Sequence, residues 1–246
     1  MTRIYDAKQF NSVYSELICR GSFQESPEYY QLYHSRYETL VKKYCDLAPS
    51  APLKVLECGG GQLGLLCKKL WDDDVCVADI GGTHLEYLQR QGLEVRIWNL
   101  CLDEQPFKAE FDFIFFSEVI EHLPLPVHIV LERLRIALKP GGTIICSTPN
   151  LYRLRNVVYM ALGKQIYDYF RVPENQGLGH VIEYSIDHLR WQFEKAGFVN
   201  CNIEYYQIHH SPNELVFRVM YWIGSPLFLI PRFRDSLVAI AQAPSN

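Results

Sequence analysis

The eight cysteines include no CxxC pair, and their spacing offers no clustered set of zinc ligands. Cys58, Cys76 and Cys146 lie in or beside apolar, strand-like runs, which fits reduced, buried thiols in a cytoplasmic protein. A long basic run is also missing, and the net charge is −4, so a nucleic-acid partner is disfavoured. The opening MTRIYDAKQFN lacks the apolar stretch of a secretory signal. No internal repeat or low-complexity tract occurs. One long apolar stretch, NELVFRVMYWIGSPLFLIPRF, is interrupted by Arg218, Gly224 and Pro226, which leaves it too broken to span a bilayer. It reads either as core and substrate wall, or as a peripheral membrane contact over 215–234 through Trp222, Phe228 and Arg232.

What is present is ample apolar material, 48% of 246 residues, for a buried core. Strand-like and helix-like runs alternate from about residue 51 onward. LKVLECG, DVCVADIG, LEVRIWNL, FDFIFFSE and TIICSTPN read as strands. GLLCKKLWD, THLEYLQRQG and PVHIVLERLRIALKPGG read as helices between them. Such alternation predicts a parallel, doubly wound α/β sheet buried on both faces. The chain reads as one domain in four parts. Residues 1–50 are a helical segment with helical spacing at Tyr29, Tyr33, Tyr37 and Leu40, and 51–150 are a cofactor-binding core. Residues 150–182 are a long insertion expected to act as a lid. Residues 183–246 hold a helix, SIDHLRWQFEKAGF, and the strands VNCNIEYYQI and DSLVAIAQA.

Ligands of doubly wound sheets bind beyond the carboxyl ends of the strands, and four such ends carry chemistry here. Gly59, Gly61 and Gly64 spell G-x-G-x-x-G, and Asp79 follows at the distance expected of a ribose-binding carboxylate. Glu57 precedes the glycines. It would repel a pyrophosphate and would favour a cofactor bearing a sulfonium and an ammonium group. Asp79 suits the ribose of either cofactor; its alternative role is a helix cap. Asn99 could pair with an adenine edge, with Leu100 over the ring, or could simply form a turn. The fourth end is FDFIFFSEVIEHLPLP, residues 111–126, in which Ser117 is a further expected cofactor contact.

These stretches, together with LKPGGTIICSTPN and GHVIEYSIDHLRWQFEKAGF, resemble class I S-adenosylmethionine-dependent methyltransferases over roughly residues 53–200. The similarity is to the broad subgroup of ubiquinone-pathway, sugar and natural-product enzymes. It implies a seven-stranded Rossmann-like sheet whose last strand is antiparallel. It also implies S-adenosylmethionine as cofactor, with Glu57 near the methionine end and Asp79 on the ribose. Leu63 replaces the last glycine of that family's first motif, so a slightly shifted turn is expected. GHVIEYS resembles an element of methyltransferases from polysaccharide and secondary-metabolite pathways, which implies a small, oxygen-bearing acceptor.

For an alcohol acceptor a base is needed, and His122 is placed by sequence to supply it. Its alternative is a loop-capping or packing role. Glu121, Tyr152, His180 and Tyr184 are the expected acceptor contacts. Glu118, Glu121 and His122 would share one face if EVIEH formed a helical turn, and could then hold a divalent cation with help from His180. The metal-free arrangement is preferred, because metal-free relatives carry the same stretch. The alternatives are a non-catalytic S-adenosylmethionine-binding domain, a metal-dependent enzyme of diols, catechols or RNA 3′ ends, and an NAD-dependent oxidoreductase.

Overall fold

In the computed structural model, residues 2–167, 179–208 and 225–245 are described. Their centre is a seven-stranded sheet of order β3-β2-β1-β4-β5-β7-β6. The strands are β1 (Lys54–Cys58), β2 (Asp74–Asp79), β3 (Glu94–Ile97), β4 (Phe111–Ser117), β5 (Leu138–Pro149), β6 (Val199–Tyr206) and β7 (Ser236–Gln242). β3 through β5 pair in parallel, and β7 runs antiparallel to both β5 and β6. The Val/Ile/Phe-rich runs of β1, β2 and β4 are buried on both faces, as a parallel sheet with helices on each side requires.

Two apolar layers cover those faces. One contains Phe111, Phe116, Leu131, Leu134 and Phe193, packed under α6 (Val127–Ala137) and α8 (Ile186–Lys195). The other contains Leu65, Leu66, Leu88, Tyr44 and Phe115, under α4 (Gln62–Trp71), α5 (His84–Arg90) and the N-terminal helices. The N-terminal segment comprises α1 (Ala7–Val13), a π-helical stretch Tyr14–Cys19, α2 (Pro27–Leu32) and α3 (His34–Leu47). The tyrosine spacing predicted helix here, but the helix is broken at Tyr33, whose φ and ψ are −95° and 12°. A buried ion pair fastens this segment to the sheet: Arg3 Nη1 lies 2.5 Å from Asp73 Oδ2, and Asp73 also accepts from the Tyr44 hydroxyl and the Leu53 amide. Paired this fully, the buried charges have no unmet hydrogen-bonding capacity to penalise them.

Two boundaries differ from expectation. The LKPGG stretch belongs to β5 and not to the preceding helix, which stops at Ala137. Pro140 and two glycines cannot continue a helix, but at the start of a strand they are tolerated. The insertion holds α7 (Leu154–Ala161), and its stem is pinned on both sides. Asn150 donates to the carbonyls of Arg232 and Arg234, and its own backbone bridges Tyr184. The remaining part of the expected lid, 168–178, lies outside the described residues, as does 215–224 of the expected membrane-contact stretch. From 225 onward Leu227, Leu229 and Ile230 are exposed. Among the described residues no helix is long and apolar enough to cross a membrane. All eight cysteines are free thiols, six of them buried.

Candidate active site

The site lies at the carboxyl ends of β1, β2 and β4. After β1 the chain turns through Gly59, Gly60 and Gly61 at φ of 93°, 39° and 87°, values that side-chain-bearing residues adopt with strain. A Cβ on Gly59 would lie 2.7 Å from Val119, and one on Gly61 would lie 2.3 Å from Leu88. Gly64 has a different task from the one its motif position suggests. It sits inside α4, where a Cβ would meet Val75 at 2.7 Å and the Glu57 carboxylate at 3.0 Å. The turn is therefore made by three consecutive glycines, and Leu63 at the family's glycine position causes no conflict because it is already buried in the helix.

Glu57 is also placed differently from expectation. Its carboxylate does not project as an open counter-charge; it accepts from the backbone N–H groups of Leu63 and Gly64 at the start of α4. It is 4% exposed, and burial raises its carboxyl to about 8 even though those amides favour the charged form. It still lines the cavity between β1 and β4, together with Gly59, Gly60, Ser117, Glu118 and Val119.

The N-terminal segment supplies the other wall of that cavity, through Tyr29, Tyr30 and Arg36. Arg36 was not marked by any motif. Helical spacing alone gives its neighbours as core residues, and only the fold shows its guanidinium beside the glycine turn. Its Nη2 lies 3.4 Å from Glu118 Oε2, Nη1 donates to the Tyr29 hydroxyl, and the group stacks 4.2 Å from the Tyr33 ring centre. Arg36 Nε is buried without a hydrogen-bond partner among the described residues. A buried guanidinium with a donor to spare, beside a glycine turn, fits a cofactor with an anionic group at that end.

Beyond β2, Asp79 Oδ1 accepts from the Gly81 amide, and Oδ2 lies 3.8 Å from Nε2 of His84. At the end of β3, Asn99 forms a turn: its Oδ1 accepts from the Cys101 and Leu102 amides. Leu100 is 8% exposed and packs in the core, so it does not stand open as a cover for a ring.

The EVIEH stretch is not one helical turn. Glu118 has φ of +54°, and only Ile120–His122 form a short 3-10 helix. The expected shared face of Glu118, Glu121 and His122 does not form. The Glu118 carboxylate turns toward Arg36 and accepts from the Ser147 hydroxyl, which also bonds Ser117 at 2.7 Å. The group that does assemble is Glu121, His122 and His180, whose ligand-type atoms all lie within 4.8 Å of one another. Glu121 is 1% exposed; Oε2 accepts from Thr148, and Oε1 has no hydrogen-bond partner among the described residues. Burial and the neighbouring Glu118 carboxylate hold its carboxyl well above the usual range. The His122 and His180 rings meet edge-on at 5.0 Å. His180 Nδ1 lies 3.0 Å from the buried Glu183, which Asn156 and Arg153 also bind.

Of the two tyrosines expected to contact the acceptor, one is buried and the other exposed. Tyr184 is 2% exposed, packed in the core against His188, because its backbone pairs with Asn150 and draws the ring inward. Tyr152 is 45% exposed at the stem of the insertion.

Comparisons with known proteins agree with this geometry. Residues 31–203 match the family model described as a methyltransferase domain. The ubiquinone biosynthesis O-methyltransferase of Methylococcus capsulatus is 36% identical over 100 residues, covering 38% of this chain and 41% of the relative. That of Roseobacter denitrificans is 31% identical over 115 residues, 43% of this chain and 46% of the relative. The matches thus span less than half the length of these curated relatives. Among solved structures, a possible histamine N-methyltransferase from Thermotoga maritima superposes with a TM-score of 0.60 at 14% identity, over 94% of this chain and 99% of that one. Phosphoethanolamine N-methyltransferase 2 of Haemonchus contortus, solved with S-adenosyl-L-methionine, gives 0.57 at 15% identity, over 85% and 52%. With the glycine turn and the seven-stranded order in place, the chain belongs to the methyltransferase-domain family and has the sheet order of the class I S-adenosylmethionine-dependent enzymes.

Proposed function

We propose that this chain transfers a methyl group from S-adenosylmethionine to a hydroxyl oxygen of a small acceptor, a sugar, polysaccharide precursor or secondary metabolite. The observation that carries the reading is the Glu121–His122–His180 group directly after the cavity-lining residues Ser117–Val119. The local likeness to ubiquinone biosynthesis O-methyltransferases supports oxygen as the methylated atom. The cofactor, when bound, supplies an electrophilic methyl on a sulfonium. The remaining work falls to the chain: holding cofactor and acceptor in line, and removing the acceptor proton.

For the cofactor, Asp79 takes the ribose hydroxyls, the Gly59–Gly61 turn lets the backbone approach, and Arg36 receives the methionine carboxylate. For the acceptor, His122 takes the hydroxyl proton as oxygen gains its new bond, and His180, held by Glu183, binds the acceptor from the insertion side. Glu121, whose carboxyl burial holds well above the usual range, stands beside the base, its Oε1 3.8 Å from His122 Nε2.

A second reading is metal-assisted transfer, favoured by the unpartnered Glu121 Oε1 facing two imidazoles. The test is methyl transfer from labelled S-adenosylmethionine to a panel of sugars, phenols and catechols, read by mass spectrometry, with and without EDTA. Oxygen-methylated product in EDTA supports the first reading. Activity lost in EDTA and restored by magnesium or manganese selects the second. Tight S-adenosylhomocysteine binding with no product on any acceptor would instead favour a non-catalytic binding domain.

A further inference from the structure

His84 is among the most deeply buried polar residues in the protein, 1% exposed, yet neither ring nitrogen has a hydrogen-bond partner among the described residues. Burying an imidazole with both nitrogens unmet is destabilising, and an apolar side chain of similar volume would be better tolerated there. Such a residue needs a compensating role, and its surroundings supply one. Nε2 lies 3.8 Å from Asp79 Oδ2, about 0.9 Å beyond the usual length of such a hydrogen bond. The other oxygen of Asp79 is already held by the Gly81 amide.

The chain makes room for this ring. Gly82, at φ of +143°, would carry a Cβ 2.7 Å from both Cε1 and Nδ1 of His84 and from the Gln24 amide nitrogen. The Phe23 ring closes the far side, 6.5 Å from the imidazole centre. Gly82 thus admits His84 behind Asp79, where residues 23–24 of the N-terminal segment pack over it.

We propose that His84 is a positioning residue for the cofactor ribose. It donates from Nε2 to Asp79 Oδ2 when the carboxylate engages the ribose hydroxyls, and so fixes both carboxylate oxygens. The proposal rests on the assignment of Asp79 to the ribose of S-adenosylmethionine. The ligand-free protein carries the cost of the orphaned ring, and the bound protein recovers it.

The test is calorimetry with S-adenosylhomocysteine on wild type, His84→Leu, His84→Gln, Asp79→Asn and the double variant, alongside melting temperatures without ligand. His84→Leu is expected to melt at or above the wild-type temperature while binding about tenfold more weakly, the cost of a lost hydrogen bond to a charged group. His84→Gln, which restores a donor, should recover part of that loss. The double variant should bind no more weakly than Asp79→Asn alone, since the imidazole acts through the carboxylate. Wild-type affinity in both His84 variants overturns the proposal. So does a full additional loss in the double variant, which would make His84 a packing residue only. Failure of wild type to bind the ligand would instead refute the cofactor assignment itself.

Discussion

Changing the charge state of Glu57 should change the stability of the ligand-free protein in a direction fixed by its burial. Burial raises the folded-state carboxyl from an ordinary 4.5 to about 8. The native protein therefore keeps a proton that the unfolded chain releases near its ordinary value. Between pH 4.5 and 8 the folded state binds more protons, so stability falls as pH rises. The stabilising contribution is fully present below about pH 4.5 and is lost on passing the folded value. At about 1.36 kcal/mol per pH unit the full span corresponds to about 5 kcal/mol, a ceiling because the Leu63 and Gly64 amides relax around the charge. Glu57→Gln removes the titration but retains an acceptor oxygen. One of its amide hydrogens will face a backbone donor, which adds an offset independent of pH. The assay is urea unfolding of both proteins from pH 4.5 to 8.5. The free-energy gap between them should shift steadily in favour of the variant as pH rises, by several kcal/mol in all. Parallel curves would refute the reasoning and show that Glu57 is ionised in the folded protein throughout.

Asp79→Ala should weaken S-adenosylhomocysteine binding by about 1.5–3 kcal/mol, as measured by calorimetry, because it removes hydrogen bonds to a charged group. His122→Ala should lower turnover about 10²–10⁴-fold and leave cofactor affinity nearly unchanged; equal losses in both would make it a structural residue. Asp73→Ala should cost about 3–5 kcal/mol in denaturant unfolding, since it strands the buried Arg3 charge.

The cofactor half of the site was legible because its signals are local. Strand, glycine turn and carboxylate follow one another within 25 residues, and their spacing is set by backbone geometry. What local pattern could not show was the division of labour among the glycines. Gly64 yields space to Glu57 inside a helix, a contact that depends on how α4 lies against β1. The acceptor half was less legible because it is assembled from distant segments. His122 and His180 are 58 positions apart, and Glu183 reaches back to Asn156 and Arg153. Glu118 was misplaced because a 3.6-residue helical period was assumed where the backbone enters the left-handed region. Tyr184 is buried, and an aromatic in a motif reads alike whether it faces a ligand or the core.

Arg36 is the sharpest case of a site residue without a motif, and its role can be isolated by choice of ligand. The guanidinium is committed to Glu118 and Tyr29 through its terminal nitrogens, which leaves Nε as the unmet donor. The methionine end of the cofactor carries one carboxylate and one ammonium. On the proposed assignment the carboxylate would pair with Arg36, in a cavity that Glu57 and Glu118 also line. 5′-Methylthioadenosine has the adenine, the ribose and the sulfur but no amino-acid end. Arg36→Leu should therefore weaken S-adenosylhomocysteine about 10–100-fold and leave 5′-methylthioadenosine within a factor of about three. The variant also strips Glu118 of its partner, so some loss of stability is expected, but the ratio of the two affinities is insensitive to that loss. Equal weakening of both ligands would mean that Arg36 shapes the cavity as a whole by holding α3 against the glycine turn, and that the methionine carboxylate is bound elsewhere.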